Sequence, residues 1–409
     1  MPAKPQTATV VIVVCFALGL AGRGATESFV TFVLPLSQEF GWDRGSVTSI
    51  YSITALAGAL SAPLVGVLFD RFGPRQLYAM GLACVGLGLT LAAFADQLWQ
   101  FYLCIGFGVG FGAAALGNVP HAALLSRWFR NRLSSASGIV YSSSGIGILL
   151  LVPLAQFLID RSGWRNAYHW LGGGVLLLLP ALLLLPWGRL AAGHPELAPV
   201  GGSAAGGVRG SAVLRAMRIP AFWGLFSVFF FTAFGNLSIS VQAVPFLVDS
   251  GFPPLQAASA WGFTGMLTPL GMLGFGWLDE RIGRRRSVGL SYALSLSAVV
   301  AMGLLSRYPS TWLLGLFILL MGTTLGSRGP LVSTLATSLF RGADLGAIYG
   351  SIMLGGGLGS AAGSFAGGLL HDWTHGYTVA LVVSFVSLCL GGTPFWTVKA
   401  LATDERHRG

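Results

Sequence analysis

The chain has 409 residues, of which 54% are hydrophobic and only 9% are charged. Soluble domains carry about 25% charged residues, so this composition excludes a water-soluble globular protein. The formal net charge of +10 does not indicate nucleic-acid binding, because the basic residues fall in short clusters between apolar segments and not on one continuous face.

Apolar runs between helix-breaking residues predict an all-α polytopic membrane protein, because a membrane span needs about 20 such residues. The 59 glycines scattered through these runs are typical of helices that pack closely in lipid. Twelve transmembrane helices are predicted, over residues 8–37, 45–69, 77–95, 98–127, 133–158, 165–187, 220–247, 254–278, 287–306, 311–339, 345–371 and 377–400.

The first span carries two charged residues, Arg23 and Glu27. Apolar residues resume at 29–36, which favours a retained helix over a cleaved signal peptide. An ionisable residue at this depth costs roughly 2.5–3.5 kcal/mol, so it usually faces a cavity or a partner. The spacing of four places both side chains on one helix face. Two interpretations stay open: a structural, self-neutralising ion pair, or a protonatable coupling site at Glu27 beside a substrate-binding Arg23.

Arg328 is the other basic residue deep within a span, in the stretch "LGSRGPLVS", where two glycines and a proline loosen the helix. We favour a guanidinium that binds a carboxylate through two hydrogen bonds; the alternative is an arginine bonded to freed backbone carbonyls. Other polar residues within spans are candidate substrate-binding residues, although an interhelical hydrogen bond also explains each of them: Asn118, His121, Tyr141, Asn236 and Gln242.

The longest non-apolar interval, 188–219, contains "GGSAAGGVRGS" and predicts a cytoplasmic linker. The linker separates an N-terminal six-helix bundle, 1–187, from a C-terminal one, 220–409.

The basic residues predict the orientation of the chain in the membrane. If both termini are cytoplasmic, 18 of the 24 Lys and Arg residues face the cytoplasm, two lie within spans, and the outer side holds four, namely Arg44, Arg161, Arg165 and Arg307. We therefore predict a multi-pass protein of the inner (cytoplasmic) cell membrane.

The two halves repeat each other. "GVLFDRFGPR" at 66–75 matches "GWLDERIGRR" at 276–285, 210 residues later. Further matches follow at nearly the same shift: Pro35 with Pro245, Gly41 with Gly251, Gly145 with Gly357, and Gly147 with Gly359. Because each half has an even number of spans, the repeats are parallel and related by an axis along the membrane normal. Transporters built in this way bind substrate near the middle of the membrane.

The twelve spans, the mid-chain linker and the duplicated Gly-x-x-x-(Asp/Glu)-Arg-x-Gly-x-Arg loop resemble the major facilitator superfamily over essentially the whole chain. "EFGWDRGSVTSIYSI", "GVLFDRFGPR" and "SRWFRNRLSSASGI" resemble its bacterial monocarboxylate and oxalate–formate transporter branch. The basic residues that this family carries within its eighth and eleventh helices have no counterpart here, because the apolar cores of 254–278 and 345–371 contain no Lys or Arg.

The resemblance implies a cytoplasmic gate at the duplicated loop. In the superfamily, the acid of this loop caps the N-terminus of a helix in the opposite half and pairs with an arginine, and the helix dipole favours a carboxylate there. Asp70 is then expected at the start of 345–371 and Glu280 at the start of 133–158, where they hold the outward-open state. The implied gate residues are Asp70, Arg71, Arg75, Arg130, Glu280, Arg281 and Arg285.

The chain has no Walker loop, no HExxH motif and no Gly-x-Ser-x-Gly turn, so neither an enzyme nor a catalytic residue is predicted. No cofactor is expected either. The cysteines all lie inside apolar segments, which argues against a metal site or a disulfide framework: Cys15, Cys84, Cys104 and Cys389. With no nucleotide site, transport energy is expected from ion or substrate gradients.

These observations predict a secondary active transporter that moves a small organic anion, such as a monocarboxylate, by alternating access and with protons as the coupling ion. Its expected partners are that anion, protons and the lipid bilayer, and no nucleic acid. Two alternatives remain: an anion exchanger or efflux carrier that is not coupled to protons, and a non-transporting membrane receptor or sensor.

Overall fold

The computed structural model describes residues 5–129, 133–193, 210–329, 332, 335, 339–340, 345–398 and 401, and these residues contain helices and no strand. In chain order the helices are α1 (Pro5–Glu27), α2 (Phe29–Phe40), α3 (Arg44–Ala92), α4 (Leu98–Phe101), α5 (Gly110–Ala115), α6 (Asn118–Ser126), α7 (Leu133–Leu184), α8 (Trp187–Leu190), α9 (Gly210–Ala216), α10 (Pro220–Ser240), α11 (Ala243–Asp249), α12 (Pro254–Ile282), α13 (Arg284–Leu305), α14 (Thr311–Thr324), α15 (Leu345–Thr374), α16 (Thr378–Gly392) and α17 (Pro394–Thr397). A π-helical turn, Tyr102–Val109, joins α4 to α5.

Eight helical stretches of the described chain are long and apolar enough to cross a membrane: Thr7–Phe40, Arg44–Ala92, Leu98–Ser126, Ser135–Leu184, Pro220–Asp249, Arg284–Leu305, Ile348–Thr374 and Thr378–Thr397. Two of them have 49 and 50 residues, about twice the length of one crossing. Each contains a glycine with a positive φ, Gly73 at 77° and Gly163 at 80°. Because side chains disfavour this backbone region, glycine allows the sharp turn, and each long stretch provides two of the predicted spans.

The chain divides into two compact units. Unit 1 comprises the described residues of Met1–Trp42, Ile53–Gly202 and Pro254–Met266; unit 2 comprises those of Asp43–Ser52, Ser203–Pro253 and Leu267–Gly409. Two short segments therefore group with the opposite half of the sequence: Asp43–Ser52 lies in unit 2, and Pro254–Met266 lies in unit 1. The predicted domains, 1–187 and 220–409 with a linker at 188–219, stay a prediction, and residues 194–209 of that linker lie outside the described residues.

The repeat seen in the sequence recurs as a contact between helix backbones. In unit 1, a Cβ added at Gly147 of α7 would lie 2.5 Å from the carbonyl oxygen of Leu20 in α1. In unit 2, a Cβ added at Gly359 of α15 would collide with the carbonyl oxygen of Phe230 in α10. Leu20 and Phe230 are 210 residues apart, and the glycines are 212 apart. Glycine at these positions allows equivalent helices in both units to approach to backbone contact.

On the predicted outer side of unit 1, Arg165 links the ends of several helices. Its Nη2 lies 3.0 Å from Glu39 Oε1 and 2.8 Å from Asp96 Oδ1, and its Nη1 donates to the carbonyl oxygen of Ala93 at 3.0 Å. Trp164 donates its indole N–H to the same Glu39. The arginine therefore fastens the ends of α2 and α3 to the turn within α7.

Candidate functional site

The charged pair of the first span forms as the spacing predicted. Arg23 Nη2 lies 2.7 Å from Glu27 Oε1. The Arg23 side chain is 50% exposed, whereas that of Glu27 is 7% exposed. From Leu18 to Val33 the other residues of α1 and α2 are buried or half-buried, so the guanidinium is accessible in a stretch where its carboxylate partner is buried. The first span thus holds an ion pair whose cation is the more accessible of the two partners.

A second polar group of unit 1 surrounds His121 in α6, which is buried and has no hydrogen-bond partner for Nε2 among the described residues. Its ring centroid lies 5.7 Å from that of Tyr78. Gly19 of α1 leaves room beside His121 and Ser143. His121 Nε2 is therefore a buried polar atom without a described partner, at the place where α1, α6 and α7 pack closely together.

Two other predicted residues of unit 1 are more accessible. Tyr141 in α7 is half-buried, and Asn118 is exposed at the start of α6. Among the described residues, no hydrogen bond joins either residue to the buried cluster around His121. Their assignment to substrate binding stays a prediction.

Arg328 lies buried in unit 2 against α13. Its Nη2 donates to the carbonyl oxygen of Ser291 at 2.9 Å and to Ser295 Oγ at 2.5 Å. Its Cζ lies 4.0 Å from the centroid of the Tyr292 ring. In the described part of the chain no carboxylate pairs with Arg328, and its Nε and Nη1 have no hydrogen-bond partner. The guanidinium is therefore a buried cation that is only partly satisfied.

The position of Arg328 fits parts of both sequence interpretations. The bond to the Ser291 carbonyl is of the kind that a structural arginine makes, although this carbonyl comes from α13 and not from the loosened helix itself. The free Nε and Nη1 are donors that an anion can use. A guanidinium presents two forks, Nε with Nη2 and Nη2 with Nη1, and both forks need Nη2. Two-pronged binding of a carboxylate thus requires Nη2 to leave Ser295 or Ser291.

The helix carrying Arg328 is interrupted, as its glycines predicted. Helix α14 ends at Thr324, and residues 325–327 form turns before the backbone is helical again at Arg328. The matching helix of unit 1 is interrupted at Leu116 and Gly117, between α5 and α6. Interrupted spans at corresponding positions of two repeats are typical of the substrate sites of secondary transporters.

The seventh predicted span is interrupted as well. Helix α10 ends at Ser240 and α11 begins at Ala243. Gln242, in the break, is 1% exposed, and neither atom of its amide has a hydrogen-bond partner among the residues described. The Ser240 hydroxyl is unpartnered by the same measure, and Asn236 is buried one turn earlier. Buried polar groups in this state cost roughly 1–3 kcal/mol each unless water or a ligand satisfies them.

The structure describes the side chains of five of the seven predicted gate residues, but not the contacts that would form the gate. Asp70 and Arg71 are exposed, and Arg75 Nη2 donates to the carbonyl oxygen of Leu183 at 3.2 Å. Arg281 lies over the ring of Trp277, with Cζ 4.3 Å from its centroid.

The helix starts and partners that Asp70 and Glu280 are expected to contact lie partly outside the described residues. Arg130 and residues 341–344, next to the start of α15, lie outside the described residues, as does the side chain of Glu280. Arg285 is exposed. The capping contacts therefore stay a prediction.

A comparison with protein families decides which family the chain represents. Residues 14–278 and 270–408 match the family model described as Major Facilitator Superfamily. The chain belongs to the Major Facilitator Superfamily. It is accordingly a multi-pass membrane protein of a transporter family, and the resemblance drawn from the duplicated loop is confirmed.

Several curated proteins are similar to this chain in sequence. Monocarboxylate transporter 12-B of Danio rerio is 26% identical over 363 residues, which cover 82% of this chain and 76% of that protein. Monocarboxylate transporter 12 of Homo sapiens is 28% identical over 289 residues, covering 65% of this chain and 56% of that protein. Uncharacterized MFS-type transporter YcxA of Bacillus subtilis (strain 168) is 26% identical over 365 residues, covering 86% and 85%.

Solved structures share the fold. The nucleoside transporter NupG superimposes with a TM-score of 0.76 at 16% identity, covering 94% of this chain and 98% of that one. A bacterial homolog of the human lysosomal transporter Spinster, inward-facing and unoccupied, gives a TM-score of 0.70 at 14% identity, covering 96% and 97%. At these identities the likeness concerns the fold alone. It confirms the predicted all-α Major Facilitator Superfamily fold of twelve transmembrane helices.

Sequence reasoning missed one group in unit 2, on the predicted outer side, made of three charged residues and a tyrosine: Arg44, Asp249, Asp372 and Tyr377. The signal was present in the repeat, because Asp249 follows Glu39 by 210 residues and Asp372 follows Asp160 by 212.

Proposed function

We propose that this chain is a secondary transporter that moves a small organic anion of the monocarboxylate class together with a proton, by alternating access. The similarity to proteins named monocarboxylate transporters supports the substrate class. The proposal also includes the predicted setting, which is the inner cell membrane with both termini cytoplasmic and Asp70 and Glu280 as gate acids.

One observation carries the proposal, namely that Arg328 is buried with no described carboxylate beside it. A lone cation in a membrane interior costs several kcal/mol, and the Tyr292 ring and two serine oxygens offset only part of this cost. An anionic substrate supplies the missing charge and accepts hydrogen bonds from Nε and Nη1. Gln242 and Asn236, in the same unit, are proposed to contact the uncharged part of the substrate, and Asn118, His121 and Tyr141 to serve in unit 1.

The Arg23–Glu27 pair is proposed to couple transport to protons. When Glu27 binds a proton, it becomes neutral and loses most of its attraction for Arg23. The half-exposed guanidinium can then attract the substrate anion. When the proton leaves Glu27, the ion pair forms again and Arg23 releases the anion. One proton and one anion thus bind together and leave together.

A second candidate, anion exchange without protons, is favoured by the short distance within the same pair. At 2.7 Å, Glu27 is already neutralised by Arg23, and a permanent ion pair would leave no group to carry a proton. This candidate keeps Arg328 as the anion site and removes Glu27 from the cycle.

The substrate class is testable in proteoliposomes by counterflow, in which unlabelled substrate inside drives uptake of a trace of labelled substrate. We expect counterflow with at least one labelled monocarboxylate. In the Arg328→Gln variant it should fall about 10-fold or more, because hydrogen bonds to a charged group contribute roughly 1.5–3 kcal/mol each. Arg307→Gln is the matched control, since Arg307 is an exposed arginine on the predicted outer side. Failure of every carboxylate to exchange would refute the substrate class, and normal exchange by Arg328→Gln would refute the site.

A further inference from the structure

In unit 2 an aspartate caps a helix that belongs, by sequence, to the other half of the chain. Helix α3 begins at Arg44, and its first N–H groups have no partner within the helix. The backbone N–H of Arg44 donates to Asp372 Oδ1 at 2.9 Å, and that of Gly45 donates to Asp372 Oδ2 at 2.6 Å. One carboxylate, near the end of α15, therefore satisfies two of these donors, and the dipole of α3 favours its negative charge.

The side chain of Arg44 adds a second attachment at the same place. Its Nη2 lies 3.2 Å from Asp249 Oδ2, at the end of α11. The Tyr377 hydroxyl donates to the same oxygen at 2.6 Å. The Arg44 side chain is only 12% exposed, so water screens this ion pair less than a surface pair.

The backbones below this cluster are in close contact. A Cβ added at Gly368 of α15 would lie 2.7 Å from the Arg44 carbonyl oxygen, and one added at Gly45 would lie 3.3 Å from the backbone of Leu369. Further along, the hydroxyl oxygens of Ser52 and Ser364 are 2.7 Å apart and form a hydrogen bond. The first two turns of α3 thus rest directly on α15.

The equivalent acids of the other half are used differently. Glu39, the counterpart of Asp249 at a shift of 210, is neutralised within unit 1 by Arg165. At a shift of 212, the position of Arg165 is occupied by Tyr377, which carries no positive charge. Asp249 therefore takes its cation from α3.

The cap itself has no equivalent in unit 1. Asp160, the counterpart of Asp372, accepts a hydrogen bond from Gln156 Nε2 at 2.8 Å. The counterpart of Arg44 is Pro254, the first residue of α12, and Pro253 precedes it. Neither proline has an N–H to donate. The counterpart of Gly45 is Leu255, which keeps its N–H, so α12 can offer one of the two donors but not the pair that binds Asp372 at α3.

We propose that Asp372, Arg44 and Asp249 form an outer latch, which holds the first turns of α3 on α11 and α15 and must open each time the transporter exposes its site to the outer side. The latch rests on the proposed function, since it requires alternating access. Helix α3 continues from unit 2 into unit 1 after Ser52, so a latch on its first turn restrains the movement of the whole helix. The cytoplasmic gate acids hold the opposite state, and the two sets compete.

The latch is testable by spin-label distances without any substrate. Labels are placed at Ser46→Cys on α3 and Thr378→Cys on α16, after alanine replaces the four native cysteines. We expect one short distance with Asp372 present. In Asp372→Ala a longer population should appear, with about a tenfold rise in the ratio of open to closed molecules, because two charge-assisted hydrogen bonds are lost. In Asp372→Asn, which keeps one acceptor oxygen but no charge, the ratio of open to closed molecules should lie between those of the parent and of Asp372→Ala.

Asp160→Ala is the matched control, because it removes the equivalent acid of the other half; it should leave the distances unchanged. An identical distance distribution in Asp372→Ala and the parent would overturn the latch, and so would an equal response to Asp160→Ala. If Asp372→Ala does not fold, the same comparison made with Asp372→Asn decides. Because no substrate is present, this result does not depend on the counterflow experiment, and either idea can fail alone.

Discussion

Arg328 shows how a buried guanidinium can be both held and available. Its Nη2 is occupied by Ser291 and Ser295, while Nε and Nη1 have no partner among the described residues. A carboxylate that binds through a fork must first displace one serine from Nη2. The Ser295 hydroxyl is the easier of the two to displace, because a side chain can rotate and the Ser291 carbonyl is fixed in α13.

Removing the Ser295 hydroxyl should therefore tighten substrate binding. In Ser295→Ala we expect the apparent affinity for the transported anion to rise up to about 10-fold, which corresponds to about 1.4 kcal/mol, near the lower end for hydrogen bonds to charged groups. Ser297→Ala is the control, since Ser297 is exposed on the same helix and bonds only locally. A lower melting temperature with unchanged affinity would instead assign Arg328 a purely structural role.

The sequence predicted which single residues are unusual, but it did not predict their partners. Four-residue spacing was enough to predict the Arg23–Glu27 pair, because a helix fixes the relative position of its own side chains. The contact of Arg328 with α13 depends on how two helices pack, and no local pattern encodes that. The same reason explains why the Asp372 cap, which joins residues more than 300 positions apart, was missed.

At the scale of helices, glycines set how closely α15 and α10 pack. Four glycines, each four residues from the next, lie on α15 and face backbone carbonyl oxygens of α10: Gly355, Gly359, Gly363 and Gly367. A Cβ at Gly363 would collide with the carbonyl oxygen of Phe234, whereas a Cβ at Gly350 of the same helix would have no described residue within 4 Å. Overpacking of this kind typically costs 1–3 kcal/mol.

Alanine substitutions should separate these two environments. Gly363→Ala is expected to lower the thermal unfolding midpoint of the detergent-solubilised protein, measured by tryptophan fluorescence. Gly350→Ala should leave the midpoint unchanged or raise it, because alanine favours the helix and meets no neighbour. Equal midpoints for both variants would contradict the proposed backbone contact.

Helix positions were predictable because hydropathy and breaking residues act locally. The predicted spans 98–127 and 220–247 correspond to the helical stretches Leu98–Ser126 and Pro220–Asp249. The predicted gaps at 70–76 and 159–164 were too long, because one glycine in each gap makes the turn and the flanking residues stay helical. The interruption at Gln242 was not predicted, since the sequence around it contains no glycine and no proline before Pro245.

At the scale of the whole molecule, the repeat accounts for the similarity of the two units, and departures from it carry the proposed function. Equivalent glycines make equivalent backbone contacts in both units. The charges differ: the first span has Arg23 and Glu27 where the seventh has Ala233 and Leu237, and Asp372 of unit 2 caps α3 whereas its counterpart Asp160 bonds to Gln156. A duplicated scaffold gives two similar units, and the proposed function rests on the charged residues in which they differ.

Proton movement driven by the substrate tests the central claim most directly. Proteoliposomes are loaded with a fluorescent pH indicator, the membrane potential is clamped, and the monocarboxylate identified by counterflow is added outside, with protein-free liposomes as the correction for passive entry. The account predicts that the parent protein acidifies the interior as the anion enters. Glu27→Gln should exchange the anion without acidification, while Asp160→Asn should behave as the parent. Anion entry without any acidification by the parent, or full acidification by Glu27→Gln, would contradict it.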